Sequence, residues 1–210
     1  RALPLAWRVE TTGGAIGFLE RHQKEPFFLY FAATLPHANN EAGKLGMEVP
    51  SDAPYSNESW PQAQKNHAAM ITYLDTQVGQ LLDRLDKLRI ADNTIVLFTS
   101  DNGPHREGGG DPTFFHSSGP LRGIKRALYE GGIRVPMIAR WPGKIAAGTK
   151  SEHIGAFWDV LPTLAELGGA AIKTTTDLDG ISFVPTLLGK TDKQRQHEDL
   201  FWVFYEGRGG

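Results

Sequence analysis

Apolar residues along this chain occur in two patterns, short continuous runs and one long helical repeat. The runs at 26–32 (PFFLYFA) and 94–98 (TIVLF) are apolar on both faces. Such runs fit strands buried in the middle of a parallel sheet. Between them, apolar residues recur at three- and four-residue steps, which predicts a helix with one apolar face. These residues are Ile71, Leu74, Val78, Leu81, Leu82, Leu85 and Leu88. The order strand, helix, strand predicts a βαβ unit over 26–100 with a right-handed crossover.

Local signals mark the ends of several elements. Ser59 and Gln62 have the spacing of a capping box, which predicts the start of the long helix. Asp159 is predicted to cap a later helix that stops at the glycine pair 168–169. His67, on the long helix, is interpreted as structural. The remaining pattern predicts a short helix from Thr11-Thr12 to Arg21, strands at 134–139 and 200–205, and loops at 38–58 and 177–188.

Length and composition describe an ordinary soluble globular protein. The chain has 210 residues, 40% of them apolar, and a net charge of −2, which offers no electrostatic footprint for nucleic acid. The longest apolar run is shorter than the roughly 20 residues of a membrane-spanning helix. The first residues, RALP, do not have the pattern of a signal peptide. The chain has no cysteine, so it forms no disulfide. Nothing in the sequence indicates the oligomeric state.

Polar side chains follow both predicted strands at their carboxyl ends. His37 comes after the first strand, and Asp101 and Asn102 come after the second. Ligands of open α/β sheets bind at this edge, so neighbouring strands would bring the three residues together. Carboxylate and amide oxygens are ligands that Ca²⁺ or Mg²⁺ prefers. The alternatives are a plain turn at Asp-Asn-Gly-Pro and a solvated or structural histidine.

A glycine-rich segment follows at 103–110 and contains His105, Arg106 and Glu107. Glycines let the backbone approach a ligand closely, and these three side chains could bind the hydroxyl groups of a sugar. The alternative is a mobile surface loop. Lys125 lies in a turn bracketed by glycine further along; taken alone, a lysine there is a solvated charge.

The stretch 94–136 as a whole (TIVLFTSDNGPHREGGGDPTFFHSSGPLRGIKRALYEGGIRVP) resembles the formylglycine-dependent sulfatase family of the alkaline phosphatase superfamily. Its version of the motifs looks most like bacterial sulfatases that act on sulfated sugars. The resemblance implies a three-layer α/β sandwich around a mainly parallel sheet, of which this chain would be an incomplete part. Residues 1–195 would be the later part of the catalytic domain, and 196–210 the start of a small C-terminal antiparallel subdomain.

The resemblance also implies roles for individual residues. Asp101 and Asn102 would bind Ca²⁺, with Mg²⁺ possible. His37 would donate to the sulfate or the leaving oxygen, and Lys125 would bind the sulfate. The parent enzyme would hydrolyse sulfate monoesters on a carbohydrate, outside the cytoplasm in the periplasm or the extracellular space.

The nucleophile of the family, a formylglycine made from the first residue of Cys/Ser-x-Pro-x-Arg, is expected before residue 1. Within the chain, Ser118-Gly119-Pro120-Leu121-Arg122 fits this pattern. We interpret the match as coincidental, because the family has the same segment just before its sulfate-binding lysine. The 210 residues alone are therefore predicted to be inactive. Two alternatives stay open: a phosphoester or phosphonate hydrolase of the same superfamily, and a non-catalytic carbohydrate-binding remnant.

Overall fold

The computed structural model describes residues 12–172 and 178–203, which form helices, connecting loops and one short sheet. The chain divides into two compact units. Among the described residues, the first comprises 12–94 and 99–137, and the second comprises 95–98, 138–172 and 178–203. Within the described residues, no helix is both long and apolar enough to cross a bilayer.

Two helices, α1 (Thr12–His22) and α2 (Gln62–Lys87), pack against each other in the first unit. Both were predicted from the apolar pattern and are confirmed. α1 buries Ala15 and Leu19, and α2 buries Ala69, Met70 and Leu85 among others. The buried stripe of α2 is narrower than its pattern predicted, since Ile71 is 46% exposed.

The predicted capping box at the start of α2 is wrong. The helix begins directly after Pro61, and no side chain caps it. The Gln62 amide instead donates to Asp52 Oδ2 at 3.0 Å and to Asn66 Oδ1 at 2.8 Å. One acceptor, Asp52, lies in the nearby loop and the other, Asn66, lies within α2, so the glutamine side chain does not reach back to cap the helix.

Strands are shorter and fewer than the apolar runs predicted. β1 (Val96–Thr99) and β2 (Met137–Arg140) form a two-stranded sheet, most of which lies in the second unit. The strand predicted at 26–32 is wrong for this structure, because these residues belong to no sheet among the described residues. Residues 200–203 are not a strand either; the rest of that prediction, 204–205, lies outside the described residues.

The predicted burial of both strand faces is also wrong. Tyr30 and Phe98, in the two runs predicted to be buried, are 59% and 42% exposed. An apolar run is buried on both faces only when neighbouring strands and covering helices are present. The described residues provide one strand pair, so these faces have no second layer over them.

The segment after His37 is held against α2 by a small apolar cluster. Ala38, Met47 and Met70 are buried there, with Leu35 and Val49 among the partly buried residues around them. This segment, predicted to be a loop over 38–58, contains a 3-10 helix at Asn40–Leu45. The backbone at the end of the first predicted strand is therefore fixed by packing rather than by a sheet.

The turn after β1 approaches a short helix, α3 (Glu130–Ile133), very closely. Gly103 N–H donates to Gly132 O at 2.9 Å, and a Cβ added to Gly103 would clash with Gly131 O. In addition, Lys125 N–H donates to Pro104 O at 2.9 Å. These contacts place the turn that carries Lys125 beside the glycine-rich segment.

The second unit contains α4 (Val160–Leu167) and α5 (Val184–Leu187), and α5 falls in the predicted loop at 177–188. Asp159 precedes α4 but its side chain does not cap that helix, which corrects the prediction. Its fully buried carboxylate accepts hydrogen bonds from Ala156 N–H, Ile181 N–H and His197 Nε2–H at 2.7–2.8 Å. α4 ends at Gly168 as predicted.

Candidate active site

His37 follows the predicted strand end and has a defined protonation pattern. Its Nδ1 lies 2.7 Å from Ala38 O. A carbonyl only accepts, so Nδ1 carries the proton and donates it. Its Nε2 lies 3.1 Å from the Lys125 ammonium, which only donates. With Lys125 as the donor, the Nε2 lone pair of His37 faces the ammonium.

Lys125 lies 88 residues further along the chain and connects two partners through its ammonium group. Nζ is 3.1 Å from His37 Nε2 and 3.1 Å from Glu107 Oε2. An ammonium has three N–H donors. Two are taken by these partners, so among the contacts of the described residues the third is available to a ligand.

Glu107 is the central anion of the cluster, and its side chain is 14% exposed. Oε2 contacts Lys125, and Oε1 lies 3.0 Å from Arg126 Nη2 in an ion pair. Burial opposes ionisation of this carboxyl, but the hydrogen bond and charge of Lys125, with smaller contributions from Arg126 and His105, outweigh it and lower the pKa of Glu107. Glu107 is therefore an anion at neutral pH.

His105 connects the glycine-rich segment to the segment that carries His37. Glu107 N–H donates to His105 Nδ1 at 3.1 Å, so that nitrogen has no proton. Nε2–H then donates to Pro36 O at 3.2 Å. The ring is 9% exposed and stacks on His37 with centroids 5.8 Å apart. Both nitrogens of His105 are thus occupied within the chain.

His67 extends this stack from α2, and the sequence did not associate it with the site. Its ring lies 5.9 Å from that of His105, at an interplanar angle of 21°. Burial, and to a smaller extent the electrostatic interaction with His105, lower the pKa of His67. A histidine on a helix gives no sequence signal for this contact, because the partner lies in a distant loop.

The other predicted site residues do not contact the His37–Lys125 pair. Asp101 is exposed, and Asn102 donates from Nδ2 to its neighbour Gly103 O at 2.9 Å. Arg106 is exposed, and its charge helps to lower the pKa of Asp111, which hydrogen bonds from Thr113 lower more strongly. The structure therefore brings together His37, Lys125, Glu107 and His105, while Asp101, Asn102 and Arg106 lie outside this set of contacts.

Asp101 and Asn102 have the type of ligand atom that a calcium ion prefers, but they are too few to form a calcium site. A carboxylate and an amide oxygen are hard donors, and Ca²⁺ takes six to eight oxygen ligands. Within 12–172 and 178–203, no group of three or more His, Asp or Glu residues could hold a metal. Asp101 and Asn102 could thus supply at most two of the oxygen ligands that a calcium ion needs.

The serine of the Ser-x-Pro-x-Arg match is engaged in local structure. Ser118 Oγ donates to Gly123 O at 3.0 Å and is partly buried. The Arg122 guanidinium lies over the Tyr129 ring, 3.7 Å from its centroid. Both ends of the match therefore stabilise the turn that precedes Lys125, which favours the interpretation that the match is coincidental.

Comparisons with known proteins point to one family. Residues 8–170 match the family model described as Sulfatase. Steryl-sulfatase of Rattus norvegicus is 38% identical over 189 residues, which are 88% of this chain and 30% of the relative. N-acetylgalactosamine-6-sulfatase of Canis lupus familiaris is 35% identical over 183 residues, covering 83% of this chain and 31% of the relative.

A solved structure shares the fold of this chain. The crystal structure of Ps i-CgsB in complex with k-i-k-neocarrahexaose superimposes with a TM-score of 0.72 at 31% identity, over 85% of this chain and 38% of that one. The chain thus spans about a third of the length of these proteins. The match to the family model covers most of its residues, and the chain therefore belongs to the sulfatase family, as its resemblance over 94–136 indicated.

Proposed function

We propose that this chain is part of a sulfuric ester hydrolase that cleaves sulfate monoesters on a carbohydrate. The observation that carries the proposal is the contact between Lys125 and His37, an ammonium donor beside an imidazole with a defined proton position. A sulfate group is a compact anion with several acceptor oxygens, which matches a cationic donor next to a group that can hold a proton. Membership of the sulfatase family supports the reaction class.

Lys125 would bind a sulfate oxygen through its third N–H. Its positive charge would offset the negative charge that develops on the sulfate oxygens in the transition state. The side chain is 19% exposed, so water competes little for the ammonium. Lys125 acts here as a cationic hydrogen-bond donor.

His37 would act at Nε2, the nitrogen that faces Lys125. Once Nε2 has taken up a proton and the Lys125 ammonium has turned from it to the sulfate, the ring can donate to the sulfate or to the leaving oxygen. The side chain is 47% exposed, so solvent can supply the proton. The Ala38 carbonyl holds the Nδ1–H bond and keeps the ring oriented throughout.

Two groups that this chain does not contain complete the chemistry. Asp101 and Asn102 would supply two of the ligands of a Ca²⁺ ion, or of Mg²⁺ in its place. Such an ion would act as a Lewis acid that withdraws charge from the sulfate oxygens. The nucleophile would be a formylglycine from a segment outside these 210 residues. The metal ion and the formylglycine are both inferred from membership of the sulfatase family.

A sugar is the substrate class that we favour. One relative is named for a sulfated amino sugar, and the similar structure was solved with neocarrahexaose. Arg106 is exposed and can donate to sugar hydroxyls. His105 and Glu107, predicted to bind substrate, would do so only by exchanging their present partners.

The architecture around the site is part of the same proposal. We infer a three-layer α/β sandwich around a mainly parallel sheet, with 1–195 in the catalytic domain and 196–210 opening an antiparallel subdomain. The exposed apolar residues of 26–31 and of β1 support such a continuation of the sheet. Action in the periplasm or outside the cell remains a prediction from the family.

The test is hydrolysis by the longest natural protein that contains this chain. We expect release of sulfate from an aryl sulfate and from sulfated oligosaccharides. Replacing Lys125 or His37 by Ala should lower kcat/KM by about 100-fold or more, the usual cost of removing one transition-state donor. The matched control is Lys87→Ala, at an exposed position near the end of α2.

The outcomes separate the competing functions. Turnover of phosphate diesters without turnover of sulfates would identify a phosphoester hydrolase instead. Binding of sulfated sugars with no turnover of either ester would indicate a non-catalytic protein. Equal activity of Lys125→Ala and Lys87→Ala would exclude Lys125 from the site.

A further inference from the structure

Glu107 presents a contradiction that the proposed function leaves unexplained. A site for an anionic sulfate should exclude other anions, yet an ionised carboxylate lies 3.1 Å from the ammonium that would bind it. Like charges repel, and little solvent is present to screen them. An anion at this position weakens sulfate binding. Its presence therefore indicates that it contributes something else to the reaction.

We propose that Glu107 is a positioning residue that fixes Lys125, and through it His37, in the geometry needed for sulfate ester cleavage. This inference rests on the proposed function of the same site. It assigns Glu107 a task other than contact with a sugar, because its two carboxylate oxygens face cations of the chain itself.

The contacts of the carboxylate support this assignment. Oε2 accepts a hydrogen bond from Lys125 Nζ and lies 3.6 Å from His37 Nε2. The Lys125 ammonium therefore donates to two acceptors, the Glu107 carboxylate and the Nε2 atom of His37. A flexible lysine has several rotamers, and two acceptors at 3.1 Å select one of them.

Arg126 makes the carboxylate necessary. Two neighbouring cations, Lys125 and Arg126, approach the same side chain, Lys125 at Oε2 and Arg126 at Oε1. Without Glu107 these cations would repel each other across a partly buried space. The Lys125 ammonium would then move toward solvent and away from His37.

The backbone around Glu107 is itself held in place. Gly108 has a φ of +63°, and a Cβ there would lie 2.6 Å from the Ala38 Cβ. Gly108 O also accepts from Met47 N–H at 3.3 Å. The glycine-rich segment is thus packed on the residues that follow His37. A fixed loop is what a positioning carboxylate requires, and the alternative of a mobile surface loop does not fit these contacts.

The experiment compares Glu107→Gln with Glu20→Gln in the longest natural protein that contains this chain. Glu20 is a suitable control because it forms an ion pair with Arg84 between α1 and α2, away from the cluster. In Glu107→Gln the new amide side chain has almost the same size as the native carboxylate but lacks its charge. With an aryl sulfate, kcat should fall on the order of 100-fold, the cost of displacing a reacting group by about 1 Å. KM should stay the same or decrease, because an anion beside the sulfate is lost.

A second measurement reports on position without catalysis. The rate at which acetic anhydride modifies Lys125, followed by mass spectrometry, should rise in Glu107→Gln and stay at the native value in Glu20→Gln. In the native protein the Lys125 side chain is 19% exposed, and its ammonium donates hydrogen bonds to two groups. Release from Glu107 should therefore make the amine more reactive.

The two measurements distinguish the possible failures. If the native protein cleaves no sulfate ester, the proposed function fails, while the modification rate of Lys125 still tests the positioning role. If Glu107→Gln leaves kcat and the modification rate unchanged, the positioning role is wrong. A rise in KM at constant kcat would instead show that Glu107 contacts the substrate, and would also overturn it.

Discussion

The proton positions on the histidines of the site follow from partners that can only donate or can only accept a hydrogen bond. The Ala38 carbonyl and the Lys125 ammonium fix the proton on Nδ1 of His37. In His105, Nδ1 accepts from Glu107 N–H and Nε2 donates to the Pro36 carbonyl, so the proton is on Nε2. Two stacked histidines therefore hold opposite tautomers, and only His37 presents a lone pair to the cation. This asymmetry supports the role proposed for His37, because only its Nε2 atom lies at the Lys125 ammonium.

His67 should make stability depend on pH. Its pKa in the folded chain is lowered, first by burial and then by His105, below the ordinary value of 6.5. In the unfolded chain the ring takes up its proton near that ordinary value, so the unfolded state binds more protons as the pH falls below 6.5. The contribution of neutral His67 to stability is thus complete above pH 6.5 and is lost as the pH falls from there toward the lowered pKa.

Replacing His67 by Gln removes this titration. The free energy of unfolding of the native chain, measured with urea between about pH 5 and pH 7.5, should decrease below pH 6.5 more steeply than that of His67→Gln. Identical slopes for the two proteins would show that His67 titrates alike in the folded and unfolded states.

Sequence reasoning reached some of these residues and could not reach others. His37 was located by the end of an apolar run, and Lys125 by a family motif; the structure brings the two within 3.1 Å. Glu107 and Arg126 are a different case. Their ion pair, and the contact of Glu107 with Lys125, depend on how two turns fold onto each other, and neither turn has a periodic pattern that specifies this. His67 was missed for the same reason.

At the level of elements, the apolar pattern predicted helices better than strands. A helix satisfies its own backbone hydrogen bonds, so the repeat in 71–88 was sufficient to predict α2. A strand needs a partner, and an apolar run does not say where that partner is. Residues 26–32 therefore have the composition of a buried strand without being part of a sheet among the described residues.

The turn that follows β1 packs so closely on α3 that a methyl group added at Gly103 should destabilise the chain. In Gly103→Ala the new Cβ would clash with the Gly131 carbonyl, which cannot move without disturbing α3. We expect a loss of stability of about 1–3 kcal/mol, typical of overpacking. Urea denaturation of the chain measures it.

Gly79→Ala is the matched control for that substitution. Gly79 lies inside α2 with nothing within 4 Å of an added Cβ. Alanine is the better helix former, so this variant should gain about 0.5–1 kcal/mol. If both variants changed stability in the same direction, the close approach of Gly103 to α3 would not be the cause.

Across the whole molecule, the side chains proposed to bind sulfate contact one another, whereas the two residues proposed to bind a metal do not take part in these contacts. His37, Lys125 and Glu107 contact one another within the first unit. Asp101 and Asn102 have no such contacts among the described residues, and the chain spans about 30% of the relatives that it matches. The family assignment rests on a match over residues 8–170, whereas the proposed binding of a metal needs more ligands than the described residues provide.

Calcium binding should reflect this difference. With two hard donors at 101–102, the 210-residue chain should bind Ca²⁺ with a Kd weaker than about 1 mM, since tighter sites use several charged ligands in a fixed cage. The longer natural protein should bind far more tightly, and Asp101→Ala should weaken that binding, while Asp83→Ala on the exposed side of α2 should not. Isothermal titration calorimetry on both proteins provides the measurement. Micromolar binding by the 210 residues alone would mean that they contain further ligands, and the partial metal site inferred at Asp101 and Asn102 would then be wrong.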